Sequence, residues 1–317
     1  MKMFRKPVII SISKDRLTIP EKTLIQKEKP WGIILFSRNI KTFQQLKKLT
    51  NEIRKSLKDP FYPILIDEEG GDVSRLSSLI NTKEFSQQFF GTLFESNSKN
   101  GELIYRYYIN SISAALKTSG ININTIPVLD LLRNKTHKIL KSRCFSKNPT
   151  TIKNLGDICI KTLKENKIGS VAKHVPGHGC VNADSHKKLP ITNDDRSKLY
   201  SKDFKLFKNL KSNFLMTAHV LYKKIDSKFV ATQSKKIISE IIRKKLNFKG
   251  LIISDDISMK ALKGNILVNA KLSLSAGCNL ILHCNGNIKE SAYLLKNLDK
   301  IDTFTEKKTK HFYQFLR

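Results

Sequence analysis

The chain has 317 residues, 40% of them hydrophobic and 27% charged, with a formal net charge of +31. It is long enough to bury a sizeable core, and it lacks an apolar run of about eighteen residues with which to cross a bilayer as a helix. Its cysteines, Cys144, Cys159, Cys180, Cys278 and Cys284, are odd in number and form no C-x-x-C pair, which excludes a disulfide framework and a zinc ribbon.

The charge has two explanations, an anionic partner such as nucleic acid or a Lys-rich composition. By count, eleven of the 58 basic residues are Arg, whereas grooves that read phosphates and bases lean on Arg. The lysines fall largely on predicted helix faces, as over 41–58 and 198–211. The excess is therefore read as a solvated surface, with no nucleic-acid and no membrane partner. It also sets up a field that can draw in an anionic substrate. Near the start, Lys2, Arg5 and Lys6 precede Val8–Ile12, a run too short for a signal peptide and without a small-residue cleavage site. The expectation is a cytoplasmic monomer whose first strand is buried.

In chain order, a strand at Val8–Ser13 is followed by a second at Gly32–Ser37 and a helix over Phe43–Leu57. Strand three, Tyr62–Ile66, leads through a helix at Glu102–Thr118 to strand four, Ile121–Leu129. Thr151–Asn166 precedes strand five, Ser170–His174, and Lys198–Leu210 precedes strand six, Phe214–Val220. A helix at Lys235–Leu246, strands at Leu251–Ser254 and Asn279–Cys284, and a helix at Lys289–Leu298 follow. Strand alternating with helix predicts an α/β fold with a parallel sheet. Eight such units in roughly three hundred residues predict a single (β/α)8 TIM barrel. No Pro-, Ser- or Gly-rich linker divides residues 1–317, so one catalytic domain is expected.

Such barrels carry their active sites at the C-terminal ends of the strands. Asp67, Asp130, His174, His219 and Asp255 fall there, so five ionisable groups are expected on one rim. Helix capping accounts for one or two aspartates, with Asp256 assigned such a role, but poorly for the histidines.

The densest chemistry is Lys173-His174-Val175-Pro176-Gly177-His178-Gly179, followed by Asp184-Ser185-His186. Its proline and glycines make it an irregular loop, and the glycines predict mobility before ligand binds. Histidines can bind a metal, but the spacing here matches no common ligand pattern. The favoured reading is an Asp184/His186 dyad, in which a carboxylate fixes the imidazole tautomer and tunes it as a proton shuttle. Ordinary loop histidines remain the bland alternative. In Ile253-Ser254-Asp255-Asp256, a strand-end carboxylate is placed to act as nucleophile, base or metal ligand. In Asp67-Glu68-Glu69-Gly70-Gly71, with Arg75 beyond, an acidic group suits sugar hydroxyls and the glycines allow a tight turn. A metal-binding acidic turn, or plain solvation of Glu68 and Glu69, competes with that reading.

Together and in this order, these segments resemble glycoside hydrolase family 3, and within it the compact NagZ-type β-N-acetylglucosaminidases of bacteria. The Lys173–Gly179 segment with Ala183–His186, and Ser254–Met259, are the most specific matches. Ile34–Asn39, Asp67–Gly71, Pro127–Asp130, Ala218–Val220 and Ala276–Asn279 support them. The resemblance implies that Asp255 is the nucleophile of a retaining double displacement and His186 the general acid/base, supported by Asp184. It implies that Asp67, Arg75, Arg143, Lys173 and His174 bind the N-acetylglucosamine, with neither metal nor cofactor. The implied substrates are N-acetylglucosaminyl-1,6-anhydro-N-acetylmuramic acid and its peptides, in cell-wall recycling. Glu68 and Asp72 depart from the usual Gln and Arg, Val175 from the usual Phe, and Arg143 lies in a weaker local match. A family 3 enzyme of other sugar specificity is the alternative, though the matches leave little room after Cys284 for a second domain to supply an acid/base. A polyanion-binding protein is the other.

Overall fold

The computed structural model describes residues 4–134, 136–185 and 187–317. His186, the expected acid/base, lies outside the described residues. Eight segments read as near-continuous apolar runs because each is covered on both faces. They form the strands β1 (Lys6–Ser11), β2 (Pro30–Leu35), β3 (Ile64–Ile66), β4 (Ile123–Asn124), β5 (Gly169–Val175), β6 (Phe214–Thr217), β7 (Leu251–Asp256) and β8 (Leu280–His283). All ladders between them are parallel, neighbours in sequence are neighbours in space, and β8 pairs with β1 to close the barrel. The expected (β/α)8 TIM barrel is the observed fold.

Side chains on a strand alternate between its faces. Ile9, Ile34, Leu65, Ile123, Val171, Met216, Ile253 and Leu282 form one buried cluster. Their neighbours, such as Val8, Ile33, Ile64, Ala172, Leu215, Ile252 and Ile281, join a second cluster with the helices. The first set fills the barrel and the second seals it against its jacket. Phe312, on the helix Thr303–Leu316, belongs to the inner cluster. Its ring meets Phe214 edge-on at 5.1 Å, and Phe214 meets Trp31 at 5.6 Å. The Trp31 indole N–H donates to Thr309 Oγ1 at 2.8 Å. Trp31, Phe214 and Gly169 all sit where strands begin, so this helix plugs the N-terminal mouth and leaves the C-terminal mouth open for chemistry.

Strand β4 is shorter than its predicted run because Pro127 has no amide to continue the ladder. The chain nevertheless stays alongside β5, with Lys173 N donating to Pro127 O at 3.0 Å and Leu129 N to Lys173 O at 2.7 Å. The expected helix Lys198–Leu210 breaks at Asp203 into Arg196–Lys202 and a 3-10 turn, Phe204–Phe207. Helices Ile19–Glu28, Gln87–Ser96, Ile266–Ala276 and Thr303–Leu316 had no predicted counterpart. Among the described residues no helix is long and apolar enough to cross a membrane.

Candidate active site

The open mouth holds a cavity of about 230 Å³, into which Asp67, Arg75, Arg143, Lys173, His174, Asp184 and Asp255 all project. Every described residue to which the resemblance gave a catalytic or sugar-binding role therefore lines one cavity. Phe36, Thr125, His178, Met216, Met259 and Cys284 complete much of its wall.

Asp67 leaves the end of β3 and is gripped from two sides. Arg75 reaches its Oδ2 at 2.7 Å, while Lys173 Nζ and Thr125 Oγ1 each reach Oδ1 at 2.5 Å. Burial alone would raise the pKa of this carboxyl, but Lys173, Arg75 and the hydrogen bonds hold it well below the usual carboxylate range. Lys173 is 2% exposed and is also bound to Glu69 Oε1 at 2.5 Å. Arg143 closes the network with a bidentate grip on Glu69, 2.7 Å from Nε and 2.8 Å from the second nitrogen. Burial opposes charge on Glu69 too, yet Arg143 and Lys173 keep its pKa low; Glu69 in turn raises that of Arg143. The result is a charge-assisted lattice of two carboxylates and three cations, rigid enough to present donors and acceptors to hydroxyl groups.

Glu68 and Glu69 are 1% and 3% exposed, so the solvated-turn reading of this motif is wrong. Glu68 turns away from Lys173. Its Oε2 accepts from the amides of Arg75 and Leu76 at 2.6 and 2.8 Å and from Ser74 Oγ at 3.2 Å, which folds the loop that carries Arg75. Burial raises its pKa despite those bonds.

His174, next to the last residue of β5, has its Nδ1 2.7 Å from Asp130 Oδ2. Asp130 is fully buried, and its Oδ1 accepts the amide of His178 at 2.6 Å. Burial disfavours its charge, but His174 and His178 outweigh that and keep it ionised. A carboxylate at Nδ1 makes that nitrogen the donor and aims Nε2 of His174 at the cavity. Asp130 was placed on the rim from the sequence without a role; its role is to orient His174. His178 also lines the cavity, and burial lowers its pKa to about 4, so its ring is neutral at neutral pH.

His219 does not line the cavity. Its ring is buried between Thr232 Oγ1 at 2.7 Å from Nδ1 and Asp256 O at 3.0 Å from Nε2, and burial lowers its pKa. It ties the end of β6 to the end of β7. The expectation of five ionisable groups on one rim is therefore corrected: Asp67, His174 and Asp255 reach the cavity, while Asp130 and His219 support it from behind. Asp256 caps no helix. Its carboxylate accepts from Ser258 N at 3.1 Å and Ser258 Oγ at 2.8 Å, making the turn after β7, and the next helix starts at Ile266 with Asn265 as its cap.

Asp255 projects from the end of β7, with its Oδ1 accepting the Asp256 amide at 2.8 Å. The loop after β5 reaches toward it, since the Ser185 carbonyl accepts the amide of Ala261 at 3.1 Å. That bond draws Asp184 and Ser185 onto the turn that follows Asp255. Gly179 serves close approach: a Cβ there would lie 1.9 Å from the Leu131 carbonyl oxygen. Among the described residues no group of three or more His, Cys, Asp or Glu side chains is arranged to hold a metal.

A strand-end carboxylate sharing a cavity with a charged, hydroxyl-matching cradle at the C-terminal mouth of a (β/α)8 barrel suits hydrolysis of a sugar substrate. The model of the glycosyl hydrolase family 3 N-terminal domain matches residues 9–312, and the chain belongs to that family. A β-hexosaminidase of Methylobacillus flagellatus is 32% identical over 297 residues, covering 92% of this chain and 84% of that protein. One from Neisseria gonorrhoeae is 34% identical over 287 residues, covering 89% and 78%. The crystal structure of NagZ from Neisseria gonorrhoeae in complex with N-trifluoroacetyl-D-glucosamine superposes with a TM-score of 0.89 at 29% identity, covering 98% of this chain and 91% of that one. These relatives group the chain with the β-N-acetylhexosaminidases.

Proposed function

We propose that the chain is a retaining β-N-acetylglucosaminidase that removes terminal N-acetylglucosamine by double displacement. The observation that carries the proposal is one cavity lined by Asp255, by Asp184 and by Asp67, Lys173 and Arg143, the last three joined in one charged lattice through Glu69. In this reading Asp67, Arg75, Arg143, Lys173 and His174 hold the sugar. Asp255 attacks the anomeric carbon and the leaving group departs with a proton. His186, two residues beyond Asp184, delivers that proton and then takes one from the attacking water. The role of His186 rests on the sequence resemblance. Neither metal nor cofactor enters any step. The substrates proposed are N-acetylglucosaminyl-1,6-anhydro-N-acetylmuramic acid and its peptides, met in the cytoplasm by a single-domain monomer during cell-wall recycling. Similarity to the β-hexosaminidases supports the choice of sugar.

The test is release of the phenol from an aryl β-N-acetylglucosaminide by wild type and by Asp255→Ala. Loss of the nucleophile should lower the rate by about three powers of ten or more, because the covalent route closes. Equal activity of the two proteins would end the proposal.

A further inference from the structure

The loop between β5 and β6 is held from behind by charges that no step above uses. Arg133, shortly after β4, donates from one terminal nitrogen to Asp194 at 2.7 Å and from the other to Asp203. Asp203 follows the helix Arg196–Lys202 and is fully buried. It packs against Gly177, where φ is +134° and an added Cβ would come within 2.8 Å of the Asp203 Cβ. Tyr222 Oη donates to the Gly177 carbonyl, and Thr136 Oγ1 donates to the Gly179 carbonyl at 2.8 Å. That threonine in turn accepts the Arg133 amide at 2.7 Å. At the far end of the loop, Asp194 follows the short strand Ile191–Thr192, which pairs with Leu221–Tyr222. One guanidinium therefore spans both feet of the segment that carries Asp184.

This bridge is poorly satisfied for a merely stabilising device. Among the described residues, Arg133 Nε and Asp203 Oδ1, both buried, have no hydrogen-bond partner. A buried ion pair with unfilled valences stabilises a fold no better than apolar packing of the same volume, so stability alone does not account for it. The alternative is geometry: a charged bridge fixes distance and direction where an apolar contact would slide.

We infer that Asp203, acting through Arg133, is a positioning residue for the acid/base loop: the Asp203–Arg133–Asp194 bridge fixes both feet of that loop so that its acid/base meets the glycosidic oxygen. The inference rests on the acid/base role proposed above for the loop. It separates Asp203 from the sugar cradle, which is built from β3, β4 and β5 and does not touch it.

The experiment compares wild type with Asp203→Asn on aryl β-N-acetylglucosaminides of graded leaving-group acidity, with and without added azide. The value of kcat/KM reports the first bond-breaking step, and poor leaving groups need protonation there while good ones do not. Asp203→Asn should lose about tenfold or more on the poorest leaving group and less than about threefold on the best. Azide, which needs no general base, should restore kcat on the best substrate. Arg133→Lys keeps the charge but replaces the planar fork, whose two terminal nitrogens reach Asp194 and Asp203 separately, by one nitrogen, and it should show the same tilt if Asp203→Asn does not fold. Parallel loss across the series in the folded variant, or no loss in either, would overturn the inference. Asp255→Ala run alongside separates the two ideas. If it matches wild type the glycosidase reading fails; if it is inactive while the Asp203 and Arg133 variants follow the wild-type slope, only the bridge fails.

Discussion

Replacing Asp130 by Asn changes a single atom type and tests how the cradle is wired. The carboxylate accepts from His174 Nδ1 at 2.7 Å through one oxygen and from the His178 amide at 2.6 Å through the other. An amide can serve only one of them as acceptor. If its oxygen stays on the His178 amide, its NH2 faces His174 and forces the other tautomer, so that Nε2 presents a hydrogen instead of a lone pair. If it flips, two N–H groups face each other in a buried site. Either way a charge-assisted hydrogen bond is lost, at a cost of about 1.5–3 kcal/mol. That corresponds to roughly ten- to a hundredfold in kcat/KM if the full cost falls on the transition state. The same substitution should lower stability at neutral pH. Because the folded pKa of Asp130 lies below its unfolded value of about 3.9, its charge stabilises the fold above that pH, and the contribution fades as pH falls through the folded pKa. Urea unfolding should therefore show a constant gap between wild type and Asp130→Asn from about pH 7 to 5, narrowing below about 4. A variant as stable as wild type at pH 7 and unchanged in kcat/KM would refute this account of Asp130.

Two further outcomes are expected. His186→Ala should cost far more kcat/KM on alkyl or disaccharide substrates than on activated aryl glycosides, because good leaving groups need little proton transfer; equal losses on both would remove His186 as the acid. Gly179→Ala places a methyl group 1.9 Å from the Leu131 carbonyl oxygen, so the loop after β5 must shift. It should lower Tm by several degrees, as expected for a cost of about 1–3 kcal/mol, and reduce activity; full activity with unchanged Tm would show that the close approach is dispensable.

Short near-continuous apolar runs and strand–helix alternation carried the barrel, because parallel strands buried on both faces leave a local signature that needs no partner to be read. The strand ends carried Asp67, Lys173, His174 and Asp255, since a residue that terminates a barrel strand has only one mouth to face. Local sequence also marked Asp184 as chemical, through its place in a Gly-rich loop. It did not separate groups that line the cavity from those that brace it. Asp130 and His219 both end strands, yet one orients His174 and the other ties β6 to β7. That difference depends on which atoms from distant segments fill the space beside each ring, Thr232 and Asp256 for His219. Nothing in the local sequence separated Glu69 from a solvated turn residue, because its partner Arg143 lies 74 positions away. The helix Thr303–Leu316 was silent for the same reason, because Phe312 has meaning only beside Trp31, Gly169 and Phe214. Composition and periodicity thus determined the class of fold and the end of it where chemistry sits. The roles of the buried charges were decided by contacts far apart in sequence, where burial makes each charge depend on its neighbours and no local pattern records who they are.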